Sequence, residues 1–111
     1  MCIRDSNEDN QKFSLVFLAR IELFLENLFD RINSSLYSLQ FPVISPVDGN
    51  SIDIHWKTEE FQLLINIPEF ETDEKYSAIY GRTFDYSTEI NYHCKFDYIQ
   101  GIIWEWLKII L

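Results

Sequence analysis

Apolar residues recur along the first third of the chain at helical spacing. Phe17, Ile21, Phe24, Leu25, Leu28, Ile32, Leu36 and Leu39 fall on one stripe, the arrangement that gives a helix one buried face. The pattern predicts a long amphipathic helix from Phe13 to Leu39. Its flanks differ in charge: Glu22, Glu26 and Asp30 follow one side, and Arg20, Asn27 and Arg31 the other. Asn33, Ser34 and Ser35 are expected to end or bend it, because their side chains compete for backbone hydrogen bonds. Arg20, Glu22 and Glu26 break the apolar run well short of the ~20 residues a membrane span needs.

After Leu39 the period changes from helical to alternating. In Ser51 to Trp56, Ile52, Ile54 and Trp56 oppose Asp53 and His55. In Phe61 to Ile67, Phe61, Leu63, Ile65 and Ile67 oppose Gln62, Leu64 and Asn66. Such alternation marks strands with one buried side. Joined through Lys57-Thr58-Glu59-Glu60, the two runs predict a hairpin in which Trp56 faces Phe61, Ile54 faces Leu63 and His55 faces Gln62.

Phe41 to Ser45 reads as a short strand. Pro42 cannot donate to a ladder, which places it at a strand start or a sheet edge. Pro46-Val47-Asp48-Gly49-Asn50 is turn chemistry. Beyond Pro68 and the acidic loop Glu69 to Lys75, a further strand is expected at Tyr76 to Arg82, with Glu89 to Phe96 as another candidate. Asp97 is placed to cap a final helix from Tyr98 to Leu111. Its inner stripe is Ile99, Ile103, Trp106, Leu107 and Ile110, widened by Ile102, Trp104 and Ile109 until little more than Glu105 and Lys108 is left for water. The expected fold is α+β in two layers: an antiparallel sheet of three or four strands, covered on one face by the N-terminal and C-terminal helices.

Met1-Cys2-Ile3-Arg4-Asp5-Ser6 resembles the in-frame translation of a sequencing-library adaptor and is set aside from fold reasoning. The expectation is one domain over 7–111 with a natural start upstream of Asn7, its gene recovered from a metagenomic fragment. Fifteen Ile against two Ala suggest an AT-rich bacterial or phage genome. With Cys2 set aside, Cys94 has no partner for an internal disulfide, which fits a reducing cytoplasm.

Charge narrows the function further. Eighteen acidic side chains against nine basic ones give a net charge of −9. No basic run is present to displace counterions from phosphates, so nucleic acid and anionic membranes are disfavoured as partners.

The chemistry-bearing residues exclude several enzyme classes. Gly49, Gly81 and Gly101 are the only glycines and are too scattered for a phosphate-cradling loop. No Gly-x-Ser-x-Gly elbow occurs. His55, His93 and Cys94 are too few for a structural zinc site, and neighbours 93 and 94 would point to opposite faces of a strand. Asp48 to Asp53 offers oxygen ligands without the spacing of a calcium loop. Cys94 with His55 or His93 would need a base held close and a lowered pKa; a buried, inert cysteine is expected. Neither a cofactor nor a metal is expected, and no residue is assigned as catalytic.

The run Ser51-Ile52-Asp53-Ile54-His55-Trp56-Lys57-Thr58, with Phe61 to Pro68 and Tyr80-Gly81, is similar to a pattern in short uncharacterised prokaryotic and phage proteins. The resemblance covers about a third of the chain. It implies an α+β domain with no established activity and carries no functional residues across.

Two surfaces remain as candidates. One is the polar side of the hairpin, with Asp53, His55, Gln62, Leu64 and Asn66, and Glu59 and Glu60 at its tip. The other is the acidic stripe Glu22, Glu26 and Asp30, where like charges at i,i+4 cost about 0.2–0.5 kcal/mol per pair unless something offsets them. Together they predict a non-enzymatic protein-binding module, immunity- or antitoxin-like, that engages a partner with a basic surface. The alternative is an enzyme of unfamiliar class using His55 with Asp53 or Glu59 as acid–base groups. Leu15, Val16 and Leu23 lie off the core stripe, where the expected upstream segment, a second copy in a homodimer through the first helix, or a partner would cover them.

Overall fold

A computed structural model of the chain describes residues 13–33, 39–47, 50–72, 75–85 and 87–110. The adaptor-like hexapeptide, Ser34-Ser35, Leu36, Asp48-Gly49 and Leu111 lie outside the described residues. The elements run α1 (Leu15–Asn33), β1 (Val43–Val47), β2 (Ser51–Lys57), β3 (Phe61–Pro68), β4 (Ser77–Thr83), β5 (Glu89–Cys94) and α2 (Phe96–Ile110). The strands form one antiparallel sheet in the order β1-β2-β3-β4-β5.

The sheet therefore has five strands, one more than the upper expectation. β5 was the weak candidate because it is an edge strand with a single buried residue, Ile90. One buried side chain is too little for a period-two signal. Pro46 lies inside β1 rather than in the following turn, which its position at the opposite edge tolerates. Three residues join β1 to β2, and Asn50 takes the left-handed conformation at φ 60°, a common way to close a loop of that length.

The alternation in β2 and β3 sorts side chains as expected. Ile52, Ile54, Trp56, Leu63, Ile65 and Ile67 are essentially inaccessible to water, whereas Asp53, His55, Gln62, Leu64 and Asn66 are half-buried. The pairing itself differs from the expected one: Trp56 faces Leu63, Ile54 faces Ile65, and His55 faces Leu64. A slip of two residues keeps every side chain on its face, so the hydrophobic pattern could not choose. The turn chooses. Thr58 N–H donates to the Phe61 carbonyl at 2.9 Å, and Thr58 Oγ1 accepts from the amides of Glu60 and Phe61, both at 3.1 Å.

α1 begins two residues later than expected, behind a cap. Ser14 Oγ accepts from Phe17 N–H at 3.1 Å, and Ser14 N–H donates to Glu69 Oε2 at 2.8 Å. That pairing satisfies two amides at the helix start, one of them with a carboxylate from the β3–β4 connection. The described part of α1 runs to Asn33, and the expected stop or bend at Asn33-Ser34-Ser35 lies at and beyond the edge of the described residues. Leu39 is half-buried outside the helix. In α2, Phe96 is already helical and Asp97 sits in the first turn instead of capping it. Glu71 Oε2 accepts from Phe96 N–H at 3.2 Å in its place.

The stripe of α1 from Phe17 to Ile32, the stripe Ile99, Ile103, Trp106 and Leu107 of α2, and the buried sheet residues form one hydrophobic cluster. Ile109 is 71% exposed, so α2 leaves more apolar surface in water than its wide stripe suggested. No helix among the described residues is long and apolar enough to cross a membrane.

Gly81 is required by close approach. A Cβ there would lie 2.8 Å from Ile90 Cγ2, 2.9 Å from Trp106 Cη2 and 3.0 Å from Leu63 Cδ1. Gly81→Ala is expected to destabilise the fold by about 1–3 kcal/mol, the usual cost of overpacking a filled core. Gly101, with open space around its Cβ direction, should instead gain up to about 1 kcal/mol as Ala. Urea unfolding midpoints of the two variants check both signs.

Candidate functional site

Polar residues on the half-buried side of the hairpin are brought together only in part. Asp53 lies directly across from Asn66. Asn66 Nδ2 donates to Asp53 Oδ1 at 2.7 Å and to Ser51 Oγ at 3.1 Å. That carboxylate is thus tied into a cross-strand polar cluster. His55 lies between Val43 of β1 and Leu64 of β3. Gln62 is farther along β3, opposite Lys57 and Arg82. Grooves of about 380, 480 and 560 Å³ indent the described surface, and Asp53, His55, Gln62 and Asn66 line none of them. Glu59 and Glu60 line the 380 Å³ groove with Asp85 of the β4–β5 turn. Ser87 N–H and O–H both donate to Asp85, at 3.0 and 2.7 Å, and these bonds hold its carboxyl below the usual carboxylate range.

The acidic stripe of α1 has more shape. Glu22, Glu26 and Asp30 all line the 560 Å³ groove, together with Leu25, Phe29 and Phe41. Phe29 stacks on Phe41 with ring centroids 5.6 Å apart and planes inclined by 16°. Phe29 also meets Trp56 at 6.4 Å. Trp56 Nε1 donates to the Gln40 carbonyl, and Gln40 Nε2 donates to the Lys57 carbonyl, both at 2.9 Å. These bonds fix the chain just before Phe41 against the end of β2. The groove therefore has carboxylates along one wall and an aromatic floor anchored to the sheet.

The opposite flank of α1 is occupied internally. The Arg20 guanidinium lies 4.6 Å from the centre of the Phe96 ring, and Arg31 lies 5.6 Å from that of Trp104. Phe24 packs on Phe96 at 5.6 Å between centroids. The two arginines thus sit over aromatic rings of α2, a favourable use of positive charge. Among the described residues, the side-chain carboxylates of Glu22, Glu26 and Asp30 take part in no ion pair or hydrogen bond. The aromatic floor was missed from sequence, because Phe29 and Phe41 meet only through tertiary packing. Leu15, Val16 and Leu23 are exposed on α1.

Among the described residues, metal and nucleophile chemistry find no assembled set. Among the described residues no group of three or more His, Cys, Asp and Glu side chains could hold a metal ion. His55 and His93 stand on β2 and β5, with two strands between them and in different rows of the sheet, so at least about 14 Å apart at the usual strand spacing. Burial pushes the Cys94 thiol up, and the Glu71 carboxylate adds to the effect. A nucleophilic cysteine needs the reverse. Cys94 is half-buried rather than fully enclosed.

Alkylation by iodoacetamide at neutral pH, followed on the Cys94 peptide by mass spectrometry, should run slower than for free cysteine and accelerate as pH rises. A rate above that of free cysteine would contradict the description of this thiol. Comparison of the chain with family models, with curated proteins and with solved structures finds no match.

Proposed function

We propose that this protein is a non-enzymatic binding module whose acidic groove on α1 engages a basic segment of another protein. The reading includes a two-layer arrangement in which both helices shield one face of the sheet. One observation carries it: three carboxylates without cationic partners among the described residues share a groove with a stacked aromatic floor. A lysine or arginine entering that groove would meet carboxylates for its charge and Phe29 and Phe41 for its methylenes or its cation face. A net charge of −9 would add long-range attraction for such a partner. An immunity- or antitoxin-like role against a basic toxin, in the cytoplasm, is the concrete form of the proposal.

The triple variant Glu22→Gln, Glu26→Gln, Asp30→Asn separates this function from folding. Two like-charged i,i+4 pairs are relieved, so the variant should be more stable by about 0.4–1 kcal/mol. It should also lose its partner. The wild-type chain should retain basic proteins from a host lysate at low salt and release them as salt screens the charges. Capture that is unaffected by the triple substitution, or the absence of any basic protein at low salt, would refute the proposal.

A further inference from the structure

The two edges of the sheet are unlike. β1 carries Pro46 and follows Pro42, residues that blunt an edge against further pairing. β5 carries neither Pro nor Gly, and among the described residues no strand pairs with its outer side. Thr83 N–H donates to the Thr88 carbonyl at 3.0 Å, which fixes the phase of the ladder. Residues 88, 90, 92 and 94 turn their backbone groups to β4, so Glu89, Asn91 and His93 turn theirs outward.

We infer that β5 pairs antiparallel with β5 of a second copy about a two-fold axis at Asn91, joining two sheets into one of ten strands. Among two-fold registers that keep the faces aligned, this one uses all three outward residues. Glu89 meets the partner's His93, Asn91 meets the partner's Asn91, and His93 meets the partner's Glu89. Each such pair exchanges two backbone hydrogen bonds, and a shift of the axis by one residue would lose one of the three pairs.

The side chains are self-complementary in the same register. On one face the Glu89 carboxylate stands between Arg82 of its own β4 and the partner's His93 imidazole, and the central asparagines can bond amide to amide. On the other face Ile90 receives the partner's Tyr92. In the single chain Tyr92 is 54% exposed. The 480 Å³ groove between β5 and α2, lined by Ile90, Tyr92, Ile102, Trp106 and Ile109 among others, lies on that side. The partner's Tyr92 ring would fill apolar space that the chain alone leaves open to water. This pairing leaves the α1 groove untouched, so both partners could bind at once.

Salt separates the two associations. Copies that each carry −9 repel, so screening should tighten the pairing while it loosens any contact with a basic partner. Sedimentation of the whole chain across the micromolar range should show a dimer whose share rises with protein concentration and with salt. Asn91→Pro removes an outward amide and no hydrogen bond to β4; it should give a monomer with an unchanged circular dichroism spectrum. Leu23→Lys on α1 should leave the dimer intact.

Amide exchange on the unsubstituted chain gives a second measurement independent of any variant: Glu89, Asn91 and His93 should be protected in concentrated samples and lose that protection on dilution. A chain that stays monomeric throughout overturns the inference. So does a dimer dispersed by Leu23→Lys but not by Asn91→Pro, or concentration-independent exchange at those three amides.

Discussion

Six side chains on one face of the β2–β3 hairpin, Ile52, Ile54, Trp56, Leu63, Ile65 and Ile67, leave water almost completely, and the buried stripes of both helices join them in one cluster. Full burial of each such side chain stabilises by about 1.5–3 kcal/mol. A solvent-exposed ion pair such as Lys108–Glu105 contributes roughly 0–1 kcal/mol. Apolar sorting therefore decides the fold, and charge is free to be distributed for other ends. A slip of one residue in the hairpin would put Asp53, His55 and Asn66 where the isoleucines are, at a cost no surface contact could offset.

Two groups of acidic side chains do different work. Glu69 and Glu71, on the short connection between β3 and β4, accept hydrogen bonds from the first amides of α1 and α2. Both helix starts are thereby tied to the same stretch of chain, with negative charge at the positive ends of the helices. Glu22, Glu26 and Asp30 do nothing comparable. Their helix turns Arg20 and Arg31 toward the rings of α2 and leaves its carboxylates along an open groove. Repulsion along that flank is tolerable because the opposite stripe of α1 is anchored by Phe17, Ile21, Phe24, Leu25, Leu28 and Ile32.

Much of this was legible in the residues. The faces of residues 52–56 and 61–67 and the stripe of α1 from Phe17 to Ile32 follow from periodicity alone. What periodicity could not reach has identifiable causes. The hairpin register goes with the turn at Thr58, whose backbone N–H and side-chain hydroxyl both take part, because a two-residue slip leaves the faces unchanged. The start of α2 escaped because its amide is met by Glu71, twenty-five residues away, and not by the adjacent Asp97. β5 was faint because only Ile90 is buried there. The acidic stripe was visible as a row of charges, whereas the floor beneath it depends on Phe41 reaching Phe29 from a different segment.

Solvent access to individual methyl groups tests the sorting most directly. With a soluble paramagnetic probe added to methyl-labelled protein, the methyls of Ile54, Ile65 and Ile79 should keep their relaxation rates. Those of Leu64, one position from Ile65 on the same strand, should be strongly broadened. Equal broadening of Ile65 and Leu64, or protection of Leu64 with exposure of Ile54, would contradict the account at its base.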